Sequence, residues 1–219
     1  MISLLAAACA PAMGLLLFFY LRDELEPEPV HMVVRTYLFG ALLAFPVMFI
    51  QYVFQVEGNW NGPLVEGLLQ AALVEESAKW LIVLLTAYFH VHFNQRYDGI
   101  VYAGAVALGF ATVENILYLS AEGLSTAFSR AFFPVSLHAL MGVVMGYYLG
   151  AAKFSRRPAV PLILSLAIPV ILHGIYNAAV LTGDLSQGLL FPFMLGLWML
   201  GLWKVKRANQ EQHREHRIS

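Results

Sequence analysis

Seven apolar stretches divide this chain of 219 residues, at roughly 2–21, 35–56, 64–89, 98–120, 131–152, 158–182 and 188–204. Each is close to the ~20 residues a helix needs to cross the hydrocarbon core of a bilayer. The connections between them are short, and none has room for a separate soluble domain. The expected fold is therefore all-α, a polytopic transmembrane helix bundle over residues 1–204 followed by a polar tail at 205–219. Composition agrees: 12% of residues are charged, against about 25% in soluble domains. An apolar content of 59% excludes disorder, and the single Cys9 excludes a disulfide scaffold. A net charge of −1 gives no basis for nucleic-acid binding.

Nothing before Cys9 is charged, whereas a secretory signal needs a basic n-region. The first stretch is therefore read as an uncleaved span rather than a leader, and Cys9 as a packing residue. Basic residues set orientation. With the N-terminus outside, Arg22, Arg35, Arg96, Lys153, Arg156, Arg157, Lys204, Lys206, Arg207, Arg214 and Arg217 all fall inside. Only Arg130 falls outside, and Lys79 lies within a span. The C-terminus is then cytoplasmic. The acidic run Asp23, Glu24, Glu26 and Glu28 reads as a solvated inner loop, and the residues after Trp203 as a solvated tail. Trp60, Trp198, Trp203, Tyr20, Tyr52 and Tyr118 lie near span ends, as an aromatic belt requires.

Ionisable groups at membrane depth cost about 2.5–3.5 kcal/mol each on insertion scales and mark functional sites. Here they are Glu75, Glu76 and Lys79 in LVEESAKWL, Glu114 in GFATVENILY, His138 in VSLHALMG, and His173 with Asn177 in VILHGIYNAAV. At about 1.5 Å per residue, all of them fall between the midplane and the outer face, leaving the inner half nearly free of buried polar groups. Lys79 is placed at i+4 from Glu75 and i+3 from Glu76, so it can neutralise either. Adjacent helical residues point about 100° apart, so one glutamate can face a cavity as a general base while the other pairs with Lys79. His173 and Asn177 share a helix face and suit an oxyanion or a bound water. Each motif taken alone also has a structural reading, as an interhelical hydrogen bond or an ion pair. Gly142, Gly146 and Gly150 form a smooth strip for close helix approach, within the chain or between two copies.

Glu75-Glu76-Ser77-Ala78-Lys79 matches an E-E-x-x-K motif, Phe110 to Glu114 an F-x-x-x-E motif, and His173 with Asn177 an H-x-x-x-[DN] motif. With His138 between them, the chain resembles the PrsW family of intramembrane proteases. The segments Glu28–Arg35, Tyr97–Tyr102 and Gly109–Tyr118 extend the likeness over nearly the whole chain. The resemblance implies a multi-pass protein of the bacterial cytoplasmic membrane. Its activity would be the first, extracytoplasmic-side cut in a single-span membrane anti-sigma factor such as RsiW, leading to release of the sigma factor. The CAAX prenyl endopeptidases and Abi proteins are distant relatives in which a glutamate activates water. Glu114 stands where the prenyl endopeptidases place a histidine, so its role does not carry over from them.

The expected chemistry is metal-free peptide hydrolysis. Glu75 is the leading base, interchangeable with Glu76; His173 and Asn177 hold the oxyanion; Glu114 and His138 orient the water or relay a proton. The enzymatic alternative is a zinc hydrolase using Glu75, Glu76, Glu114, His138 and His173, although the H-E-x-x-H signature is absent. A proton-coupled transporter is the alternative of another class.

Overall fold

The computed structural model describes residues 2–57 and 62–217, without the side chains of 184–187. Seven helical stretches follow one another: α1 (Ile2–Tyr20), α2 (Val30–Glu57), α3 (63–88), α4 (Asp98–Glu122), α5 (Leu124–Lys153), α6 (Ala159–Thr182) and α7 (Asp184–His216). No strand occurs among the described residues. Trp60, expected in the aromatic belt, lies outside the described residues.

Six of these helices are long and apolar enough to cross a membrane, and α3 differs for a physical reason. Its helix is continuous but passes through π-helical turns at Glu66–Leu73 and Leu84–Tyr88, and it carries Glu66, Glu75, Glu76 and Lys79. Widened turns of this kind are frequent at functional sites. The first lies directly before the two glutamates and brings Gly67 onto the α6 backbone, where an added Cβ would stand 2.6 Å from Ala178 N.

Burial separates the centre from the periphery. In α4 and α5, 78% of the most apolar window is buried, against 17% in α1, 28% in α2 and 33% in α6 and α7. The outer helices turn Leu17, Phe45, Phe49, Ile163 and Met199 outward, the surface a lipid-facing helix presents because lipid is as apolar as leucine. The protein is a multi-pass membrane protein.

Small residues let α4 and α5 meet backbone to backbone. A Cβ on Gly146 would overlap the Gly99 carbonyl, and one on Gly150 the Arg96 carbonyl. The glycine strip is therefore covered by α4 of the same chain. At Gly123 and Gly183 the backbone has φ of +87° and +89°; these left-handed residues, which glycine adopts without strain, end α4 and α6.

Two expectations fail at the end of the bundle where α4 begins. The residues after Trp203 are not a solvated tail. Instead α7 continues to His216 and buries Lys204, Val205, Ala208, Asn209 and Gln212. The acidic linker between α1 and α2 is not solvated throughout either, because Asp23 and Glu28 are buried beneath α4 and α7. This half of the molecule therefore has buried polar groups of its own.

Candidate active site

The α-helical segment Val74–Val83 of α3 supplies three buried charges on adjoining turns. Lys79 Nζ lies 3.1 Å from Glu75 Oε2, 2.8 Å from Glu76 Oε1 and 2.9 Å from His138 Nδ1. An ammonium has three N–H bonds, and here three acceptors surround it. Donor counting then assigns the ring protons. His138 Nδ1 accepts, so its Nε2 carries hydrogen and donates to Glu114 Oε2 at 2.9 Å. A carboxylate only accepts, so His173 Nδ1 donates to Glu76 Oε1 at 2.8 Å, leaving His173 Nε2 as the remaining ring position.

Phe110 completes the shell. Its ring centroid is 4.3 Å from Lys79 Nζ and 5.6 Å from the centre of the His138 ring. One turn along α4, Glu114 holds the far side of His138. The i,i+4 spacing of F-x-x-x-E thus places an aromatic face over the ammonium and a carboxylate on the imidazole.

A cavity of about 680 Å³ opens beside this cluster, and Glu75, Glu114, His138, His173 and Asn177 are in its wall. Glu76 and Lys79 are not; Glu76 has no exposed surface. The pair of glutamates therefore divides into one facing the cavity and one behind it. The division differs from the sequence expectation in one respect. Lys79 does not choose between them but bridges both, and Glu75 Oε1 also accepts from Gln51 Nε2 at 3.0 Å. A lysine at i+3 and i+4 from two acids reaches both when its remaining proton has a partner, and His138 provides it.

Sequence reasoning missed Gln51 and Arg130. Gln51 and Gln55 are the two amides in the apolar run of α2, and both line the cavity; that interruption was the signal available. Arg130 also lines the cavity, donating from Nε to Asn115 Oδ1 at 2.9 Å and covering the Tyr118 ring at 3.9 Å; its sequence position marked it only as an outer-loop charge. His90 and His92 lie at the end of α3 away from the cluster.

One ligand atom each from Glu75, Glu76, His138 and His173 lie within 4.8 Å of one another. Two imidazoles and two carboxylates are a zinc-type donor set, and Glu76 Oε2 is buried with no hydrogen-bond partner. The residues thus fit a metal ion by donor chemistry. In the arrangement observed, the Lys79 ammonium is the cation at that point, and a metal would compete with it.

Buried carboxylates and imidazoles from α3, α4, α5 and α6, open to a cavity inside a multi-pass bundle, are the equipment of a membrane-embedded hydrolase. Residues 28–203 match the family model described as "PrsW family intramembrane metalloprotease". The chain is 49% identical over 213 residues to Protease PrsW of Bacillus subtilis, covering 95% of this chain and 97% of that protein. It is 50% identical over 214 residues to Protease PrsW of Halalkalibacterium halodurans, covering 96% and 99%, and 27% identical to that of Clostridioides difficile, covering 89% and 84%. No solved structure matches. The chain belongs to the PrsW family and is a multi-pass membrane peptidase.

Proposed function

We propose that this chain makes the first, extracytoplasmic-side cleavage of a single-span membrane anti-sigma factor such as RsiW, using a water activated by Glu75. The proposed orientation puts the N-terminus outside and the C-terminus in the cytoplasm of a bacterial cell, with residues 1–204 as the membrane domain and 205–219 on the cytoplasmic side. The observation that carries the mechanism is the division of the glutamate pair, with Glu75 in the cavity wall and Glu76 sealed behind it.

A water in the cavity donates one hydrogen to Glu75 and the other to His173 Nε2, aiming an oxygen lone pair at the scissile carbonyl. Glu75 takes the proton as the water oxygen bonds to carbon. The Asn177 amide donates to the oxyanion. Glu75 then returns the proton to the leaving nitrogen, and the C–N bond breaks. This moves His173 from the oxyanion side to the water side, because its Nδ1 proton is committed to Glu76. Glu114 fixes the His138 tautomer, and His138 with Glu76 fixes Lys79. A zinc ion bound by Glu75, Glu76, His138 and His173 would supply a Lewis acid that lowers the pKa of bound water. The metal-free reading is preferred because Lys79 satisfies three of the same donors.

Co-expression with a single-span anti-sigma factor tests the reading: wild type yields the truncated product and Glu75→Gln does not. Chelator treatment of purified active protein separates the two chemistries. Activity that survives supports the glutamate mechanism, and activity lost and restored by zinc replaces it with the metal-dependent one.

A further inference from the structure

A second buried acidic cluster lies about 24 Å from the first, sixteen residues back along α4 from Glu114. Asp23 and Glu28 from the α1–α2 linker and Asp98 from the start of α4 are 7%, 3% and 0% exposed, and one oxygen of each lies within 4.8 Å of the others. No ion pair reaches any of the three among the described residues. Of the nearby basic groups, Arg96 pairs with Glu211 and Glu215, while Lys153, bonded to the Tyr88 carbonyl and set over the Phe93 ring, and His92 act on Asp98 and Glu28 through space without pairing with either. Burying three carboxylates at one point with no cation in direct contact is expensive.

The hydrogen bonds leave specific oxygens over. Asp98 Oδ2 accepts the N–H groups of Asn94 and Gln95 at 2.7 and 2.6 Å, while its Oδ1, in a side chain with no exposed surface, has no partner. Asp23 Oδ1 accepts from Gln212 Nε2 at 3.3 Å, while its Oδ2 is buried and unpartnered. Glu28 Oε2 accepts from the Tyr102 hydroxyl. Backbone and side-chain donors thus hold one oxygen of each aspartate, and the Asp98 and Glu28 carboxyls face each other within hydrogen-bonding reach.

We propose that Asp23, Glu28 and Asp98 bind a hard divalent cation, of the Mg²⁺, Mn²⁺ and Ca²⁺ class, that pins the α1–α2 linker to the start of α4. An all-oxygen, carboxylate-rich donor set selects such ions over zinc or copper. The site is distinct from the catalytic cluster, whose donors include imidazoles. Through Gln212 it also touches α7, so one ion ties together three segments that are remote in sequence.

The test is Mn²⁺ binding to the purified full-length chain, read from the loss of the free-ion EPR signal, with thermal unfolding in parallel. The expected result is one Mn²⁺ per chain, displaced by Mg²⁺ or Ca²⁺. At a hundredfold excess over Kd, Mn²⁺ raises Tm by about 5–11 °C. Asp98→Asn weakens binding at least ~10-fold and abolishes the rise in Tm, whereas Glu76→Gln retains both. Asp23→Asn, on the linker, serves as a second variant if Asp98→Asn does not fold. The proposal is overturned if no Mn²⁺ binds, which would leave shared protons to neutralise the cluster. It is equally overturned if neither Mg²⁺ nor Ca²⁺ competes, or if binding follows Glu76 rather than the linker and Asp98.

Discussion

Replacing Lys79 by methionine tests whether one ammonium organises the buried cluster of Glu75, Glu76 and His138. The substitution keeps an unbranched apolar stem and removes three hydrogen bonds, to Glu75, Glu76 and His138. It also removes the cation over the Phe110 ring. Lys79 is 1% exposed and Glu76 0%, so water cannot substitute for the lost charge. Removing one partner of a buried ion pair costs about 3–5 kcal/mol, because the other charge is left uncompensated. For a chain of this size each kcal/mol lowers Tm by about 2–4 °C, so Lys79→Met should unfold about 6–20 °C below wild type in detergent. The double variant Lys79→Met/Glu76→Gln removes one of the stranded charges and should be more stable than Lys79→Met alone. A single variant within ~2 °C of wild type, or a double variant no more stable than the single, would refute the bridging role.

At Gly146 an added methyl meets the Gly99 carbonyl, which is backbone and cannot rotate away. Gly146→Ala should cost about 1–3 kcal/mol, and Gly146→Leu should abolish folded protein in membranes, read by size-exclusion profile. Gln212 accepts from the Tyr97 N–H and donates to Asp23 and Asn209. Gln212→Ala leaves the Tyr97 N–H without that acceptor and should destabilise by about 1–3 kcal/mol, measured by thermal unfolding; an unchanged Tm would mean the tail is not docked.

Much of the candidate site was legible in the sequence because membrane depth makes charge conspicuous. Glu75, Glu76, Lys79, Glu114, His138 and His173 stand out from apolar surroundings, and all six are joined by the contacts observed. The start of α4 at residue 98 was legible too, since the apolar run begins there after the polar stretch Asn94-Gln95-Arg96. The bridging by Lys79 was not, because it depends on His138 arriving from α5 to take the third proton. The π-helical turns of α3 leave no mark in hydropathy. The other end of the bundle was misread for a common reason. Asp23, Glu28 and the residues after Trp203 are polar, and polarity away from an apolar run reads as solvation. Their burial depends on α4 and α7 closing over the linker, a tertiary event. One sign was present in the tail itself: Lys204, Ala208 and Gln212 recur every fourth residue and form the face that α7 buries.

The central claim is that Glu75, in the cavity wall, acts on the water while Glu76 acts only through its partners. Its most direct test compares wild type, Glu75→Gln and Glu76→Gln in proteoliposomes with a single-span anti-sigma substrate, measuring cleavage rate and Tm on the same samples. Glu75→Gln should lower kcat by at least ~10²-fold with a smaller loss of Tm than Glu76→Gln, because Glu75 borders the cavity and Glu76 does not. Glu76→Gln, which loses an acceptor shared by Lys79 and His173, should lower Tm by several degrees. A Glu75→Gln protein that cleaves at the wild-type rate, beside a stably folded and inactive Glu76→Gln protein, would contradict the assignment.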